Sequence, residues 1–136
     1  MNKKILGFLL SGFLTLLILS GCSSSSDSIN IKDFLTDGSD KWSMTSSTDP
    51  NLNPKIFFES SDQAVFLIGT KKFDITYQVD EEKSEITLIS DEFINIYANT
   101  TVKLIDVKIV GKDIIEATGM YDSNTRDNVR LTRINE

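Results

Sequence analysis

Apolar and polar residues alternate most cleanly over Lys72–Asp80, KFDITYQVD. Phe73, Ile75, Tyr77 and Val79 fall on one side and Asp74, Thr76 and Gln78 on the other, as in a strand with one buried face. The same reading predicts strands at Trp42–Ser46, Lys55–Ser60, Ala64–Thr70, Glu85–Ser90, Phe93–Asn99, Thr101–Val110, Asp113–Gly119 and Asn128–Ile134. Ahead of them Ile31, Phe34 and Leu35 recur at helical spacing and Gly38 follows, which predicts one short N-terminal helical turn. Ser60-Ser61-Asp62, Gly69-Thr70-Lys71, Asp80-Glu81-Glu82-Lys83, Ser90-Asp91-Glu92 and Gly111-Lys112-Asp113 are turn material. Connections this short hold no crossover helix, so neighbouring strands must run antiparallel.

Thr101–Val110 departs from simple alternation. Val102 and Leu104 share one side, whereas Ile105, Val107 and Ile109 share the opposite one. A β-bulge or bend would return both groups to a single inward face; burial on both faces is the other reading. A meander of 8–9 short strands must also hide its two edges. The predicted fold is therefore all-β, a small antiparallel up-and-down β-barrel, with a flattened sandwich as the rival.

The first residues follow a different pattern. Lys3 and Lys4 precede an almost wholly apolar run, Ile5 to Leu19. The run is about fifteen residues long, short of the ~20 that a spanning helix needs, and the charged start and apolar core are those of a secretion signal. It ends in Leu19-Ser20-Gly21-Cys22, followed by Ser23-Ser24-Ser25-Ser26-Asp27-Ser28. Leu, two small residues and Cys resemble the bacterial lipobox. The resemblance implies that the Cys22 thiol receives a diacylglyceryl group and that the signal is cut just before it. The expected organisation is a cleaved signal peptide at 1–21, a lipid-anchored, flexible Ser-rich tether at 22–28 and the β-barrel domain at 29–136. The expected place is the extracytoplasmic face of the cell membrane, or the outer membrane if the cell has two. Abundant Ile, Asn, Lys and Ser suggest an AT-rich genome, and with it a Gram-positive source.

Within the domain, the helical turn and Gly38 precede Trp42 in GSDKWSM, and the last strand carries basic residues in NVRLTRIN. In these points the chain resembles the lipocalin-like (calycin) barrels, which pack such an Arg across such a Trp to close one end. Val129, Leu131 and Arg133 share a face, so Arg133 is the candidate partner of Trp42, and Arg130 points the other way. The family's usual Gly-x-Trp is absent, because Ser39-Asp40-Lys41 intervenes.

Composition narrows the chemistry. The chain has no histidine, which removes the commonest general base and metal ligand. Its single cysteine allows neither an internal disulfide nor a cysteine-based zinc site. The net charge of −6, which becomes −8 once Lys3 and Lys4 leave with the signal, argues against nucleic acid. Asp122-Ser123-Asn124-Thr125-Arg126-Asp127-Asn128 alternates oxygen ligands like a calcium loop, but Arg126 occupies a ligand position, so a polar hairpin loop explains it better. Asp80-Glu81-Glu82 and Asp91-Glu92 pair carboxylates in predicted turns, where solvated charge is the default. Asn99-Thr100-Thr101 matches a eukaryotic glycosylation acceptor, which means little behind a bacterial lipobox. No catalytic residue, metal site or cofactor is expected.

Phe57, Phe58, Phe66, Phe73, Phe93, Tyr77 and Tyr97 supply the apolar mass of the barrel. Phe58, Phe66, Phe73 and Tyr77 are the candidate ligand-binding wall, since a barrel of this size holds either side chains or one small ligand. The expected function is a membrane-anchored, non-catalytic binding module for a small apolar molecule or peptide. The alternative is a protein-interaction role, as in an immunity or exclusion lipoprotein whose acidic outer surface meets a cationic partner such as a cationic peptide.

Overall fold

The structure, a computed structural model, describes residues 29–135. The expected signal peptide, Cys22 and the serine tether lie outside the described residues. The chain enters through a short helix, α1 (Ile31–Thr36), and then builds β1 (Lys41–Ser46), β2 (Lys55–Phe58), β3 (Gln63–Ile68), β4 (Lys71–Asp80) and β5 (Glu85–Ile89). A 3-10 turn (Asp91–Phe93) runs into α2 (Ile94–Tyr97), after which come β6 (Thr101–Gly111), β7 (Ile114–Met120) and β8 (Arg126–Arg133). All eight strands pair antiparallel with their sequence neighbours, and β1 pairs with β8 to close the barrel. The architecture is that of an up-and-down barrel with a helical turn before its first strand, consistent with a lipocalin-like fold.

Closure follows from the alternation. Along β8 exposed and buried positions alternate without a break, with Asp127, Val129, Leu131 and Arg133 inside. Ile75 and Tyr77 of β4 and Ile86 and Leu88 of β5 are buried on the same inner face. β6 carries the anticipated irregularity: its register against β7 shifts between Ile105 and Lys108. Asp106 sits there at φ 53, a left-handed conformation that Asp tolerates better than a branched residue would. Leu104 and Val107 therefore both point into the core, and Ile105 stays half-buried on the other side.

One expected strand is wrong. Phe93–Asn99 is not extended but forms the end of the 3-10 turn and α2, so the barrel has eight strands. Phe93, Ile96 and Tyr97 stand at i, i+3 and i+4 and pack inward, the Ser90 hydroxyl accepts from Glu92 N–H as a cap, and Ala98 at φ 59 ends the helix. A second correction concerns Arg126 and Asp127, read above as part of a polar loop. The expected strand starts only at Asn128, but β8 already begins at Arg126 and Asp127 is buried inside it.

The barrel has two ends. α1 lies across one of them, together with the β2–β3, β4–β5 and β6–β7 hairpins; the far end carries the other four connections. Every strand is paired on both sides within residues 29–135, and the core comes from the same span, so the barrel is self-contained.

Candidate functional site

At the plug end, Ile31, Phe34 and Leu35 of α1 are buried in the barrel core. The backbone N–H groups of Ile31 and Lys32, which a helix start leaves unpaired, donate to the Glu81 carboxylate at 2.9 and 3.0 Å. The far side of the helix is held by two strand residues. Trp42 Nε1 donates to the Leu35 carbonyl at 2.9 Å. The Arg133 guanidinium donates to the carbonyls of Phe34 (2.7 Å), Ser39 (2.6 Å) and Asp37, and its Nε lies 3.2 Å from Asp113 Oδ1. Its carbon sits 4.4 Å from the centroid of Trp42 and 4.9 Å from that of Phe34. A planar fork with five donors suits this task, because it satisfies helix-terminal carbonyls while stacking on aromatic faces.

The four residues of the candidate wall meet as two neighbouring pairs. Phe58 and Tyr77 stand edge to face at 4.8 Å, and Tyr77 OH donates to the Ser60 carbonyl at 2.5 Å. Burial, and then the charge of Asp62, push the Tyr77 hydroxyl above its ordinary value. Phe66 and Phe73 are tilted at 5.4 Å, nearer the far end. Phe58, Phe66 and Tyr77 are fully buried and Phe73 is half-buried. The rings of each pair are in contact with one another. The plug end also carries surface clefts. One of about 900 Å³ runs beside α1 past Phe34, Asp37, Lys112, Asp113 and Arg133. Another, about 500 Å³, lies between α1 and the β2–β3 hairpin and reaches Phe58 and Tyr77.

The far end holds two groups that the pattern along the chain does not bring together. The first is centred on Asp127, 4 % exposed. Its Oδ1 accepts from Ser47 Oγ (2.6 Å), Thr48 Oγ1 (2.9 Å) and Thr48 N–H (3.0 Å). Its Oδ2 accepts from Tyr121 OH (2.9 Å) and from Ser46 Oγ. Burial alone would raise this carboxyl; the hydroxyls of Ser46, Ser47, Thr48 and Tyr121 outweigh it and hold Asp127 well below the usual carboxylate range. The same carboxylate, after burial, pushes the Tyr121 hydroxyl up. Gly119 makes room here, since a methyl group at its Cα would stand 2.8 Å from Val129 Cγ2 and 3.2 Å from the Tyr121 hydroxyl. With both oxygens filled by donors, Asp127 is a structural hub joining β1 and the β1–β2 connection to β8, not a free base.

The second group covers the mouth. Phe93 is fully buried, 5.0 Å from Phe66, 5.8 Å from Phe73 and 5.5 Å from Tyr97. Tyr97 stacks on Tyr121 at 4.8 Å with the rings 5° apart. The Tyr97 hydroxyl is closed off from solvent and meets no hydrogen-bond partner among the described residues. Burial first, and then the neighbouring Tyr121, Asp127 and Asp49, push it far above its ordinary value.

The remaining polar runs are local. Asp122 accepts from the N–H groups of Asn124 and Thr125 and from the Thr125 hydroxyl, which lower its carboxyl and close the hairpin on itself. Among the described residues no three His, Cys, Asp or Glu side chains are grouped as a metal would need, and no helix is long and apolar enough to cross a membrane. No family model matches the chain, and no curated protein is similar enough to it to stand as a relative.

Proposed function

We propose that the protein is a membrane-anchored extracytoplasmic lipoprotein whose barrel is a non-catalytic binding module for a small apolar molecule or peptide. The observation that supports this reading is the pair of aromatic clusters inside a closed barrel, Phe58 with Tyr77 and Phe66 with Phe73 and Phe93. Such a wall offers an apolar guest area and edge-to-face contacts, and little that would fix a polar one. The anchor rests on the likeness of Leu19–Cys22 to a lipobox. Two acyl chains on Cys22 would hold the barrel stably at the bilayer, where one would not.

The second reading is a protein-interaction role, with the acidic outer surface against a cationic partner. Contact among the interior rings favours it, since a filled barrel leaves the outside as the working surface. Native mass spectrometry of residues 29–136 released from the anchored protein of its host separates the two. A co-purifying small molecule supports the first reading. A clean mass, with a protein captured by the same material, supports the second and sinks the first. For the anchor, a Cys22→Ala full-length chain is expected to lose metabolic palmitate labelling and signal cleavage in its host; normal labelling would refute the lipoprotein reading.

A further inference from the structure

The connection between β5 and β6 differs in its bonding from the rest of the far end. Its base is clamped: Ser90 N–H donates to the Thr100 carbonyl at 2.9 Å, and Asn99 Nδ2 donates to the Tyr121 carbonyl at 3.0 Å. Its body is not. Among the described residues, no backbone group from Asp91 to Ala98 bonds to a strand. The polar tie across it is an exposed ion pair, Glu92 to Lys71 at 3.4 Å, of the kind that contributes little. What seats the segment is the burial of Phe93, Ile96 and Tyr97, while Ile94 beside them is 55 % exposed. Seating it also strands the Tyr97 hydroxyl without a partner, a desolvation cost that water would remove if the segment lifted. The neighbouring β1–β2 connection has the opposite character, with Ser46, Ser47 and Thr48 all bonded to Asp127.

We infer that Asp91–Ala98 is a lid on the far mouth of the barrel and that Phe93 is its stopper. The ring occupies the place of a guest, edge-on to Phe66 and Phe73, and swings out about Ser90 and Ala98 when an apolar molecule carrying an aromatic ring takes its seat. The closed form is the one described; its unpaired phenol lowers the cost of leaving it. This inference rests on the apolar-binding reading above and gives that reading its site and its gate.

The test uses residues 29–136, which lack Cys22, the only cysteine of the chain. Lys71→Cys and Glu92→Cys place two thiols across the lid, and a bifunctional methanethiosulfonate bridges them until a reductant removes the bridge. The probe is N-phenylnaphthylamine, a neutral aromatic molecule. Bridging is expected to weaken its binding more than about tenfold by removing the competent state, with full recovery on reduction. Tyr97→Phe, which stabilises the closed lid, is expected to weaken binding about tenfold. Equal binding before and after reduction would overturn the lid and leave the binding reading standing. No binding in either state would overturn both, and unchanged or tighter binding by Tyr97→Phe would remove the hydroxyl from the account.

Discussion

The two ends of the barrel are closed by different physics. At the plug end, directional bonds do the sealing: Arg133 reaches the carbonyls of Phe34, Asp37 and Ser39, Trp42 reaches Leu35, and Glu81 takes the two leading N–H groups of α1. At the far end, the lid is seated chiefly by apolar burial of Phe93, Ile96 and Tyr97 and leaves a phenol unpaired. Beside it, Asp127 fixes the strands that frame the mouth. The difference teaches that burial by itself does not report rigidity. Phe93 and Trp42 are both fully buried, yet one is held by groups that specify a geometry and the other by contacts that an apolar guest reproduces.

Arg133→Ala is the strongest way to break this contrast. It removes the carbonyl bonds, the stacking and the Asp113 pair together, and is expected to cost about 4 kcal/mol of unfolding free energy in urea. A loss under about 1 kcal/mol would mean that α1 is seated by apolar burial like the lid. Asp127→Ala is expected to cost about 3 kcal/mol, since it strands several buried hydroxyls. The pH dependence sharpens the same point. The folded carboxyl lies below its unfolded value of about 3.9, so its stabilisation is complete above that pH and is lost as pH falls toward the folded value. Asp127→Asn should therefore flatten the acid limb of a stability-against-pH curve; an unchanged limb would show that other carboxylates set it. Glu81→Ala is the smallest, about 1 kcal/mol, the usual size of a lost helix cap. Its signature is faster amide exchange confined to α1, and exchange unchanged from the parent would remove Glu81 from the seal.

Much of the barrel is legible along the chain, because a sheet with one dry face writes itself as alternation. Phe73 to Val79 shows this, and Val102 to Ile109 even shows the place where a bulge must restore the inward face. Phe93 to Tyr97 misleads for a physical reason. Five residues with apolar 93, 96 and 97 satisfy helical spacing, while Ile94 and Ile96 flanking a polar Asn95 satisfy period two. A segment that short cannot distinguish them. Asp127 is instructive in a different way. Its parity with Val129, Leu131 and Arg133 is visible in the sequence, and extending that face upward puts a carboxylate inside. Its donors Ser46, Ser47 and Thr48 stand about eighty positions earlier, and only the β1–β8 register brings them to it. Distant partners of a buried polar group follow from register, which local pattern does not encode.

Closing β8 onto β1 also dictates when the molecule can become itself. Arg133's bonds to Phe34 and Ser39 span 99 and 94 residues, so the keystone of the plug end emerges only after α1 and the other seven strands. Until it arrives, β1 has an unpaired edge and the carbonyls of Phe34, Asp37 and Ser39 lack their donor. Contacts this remote in sequence make for slow, late assembly. A chain without β8 would stay an open, adhesive sheet for want of a latch.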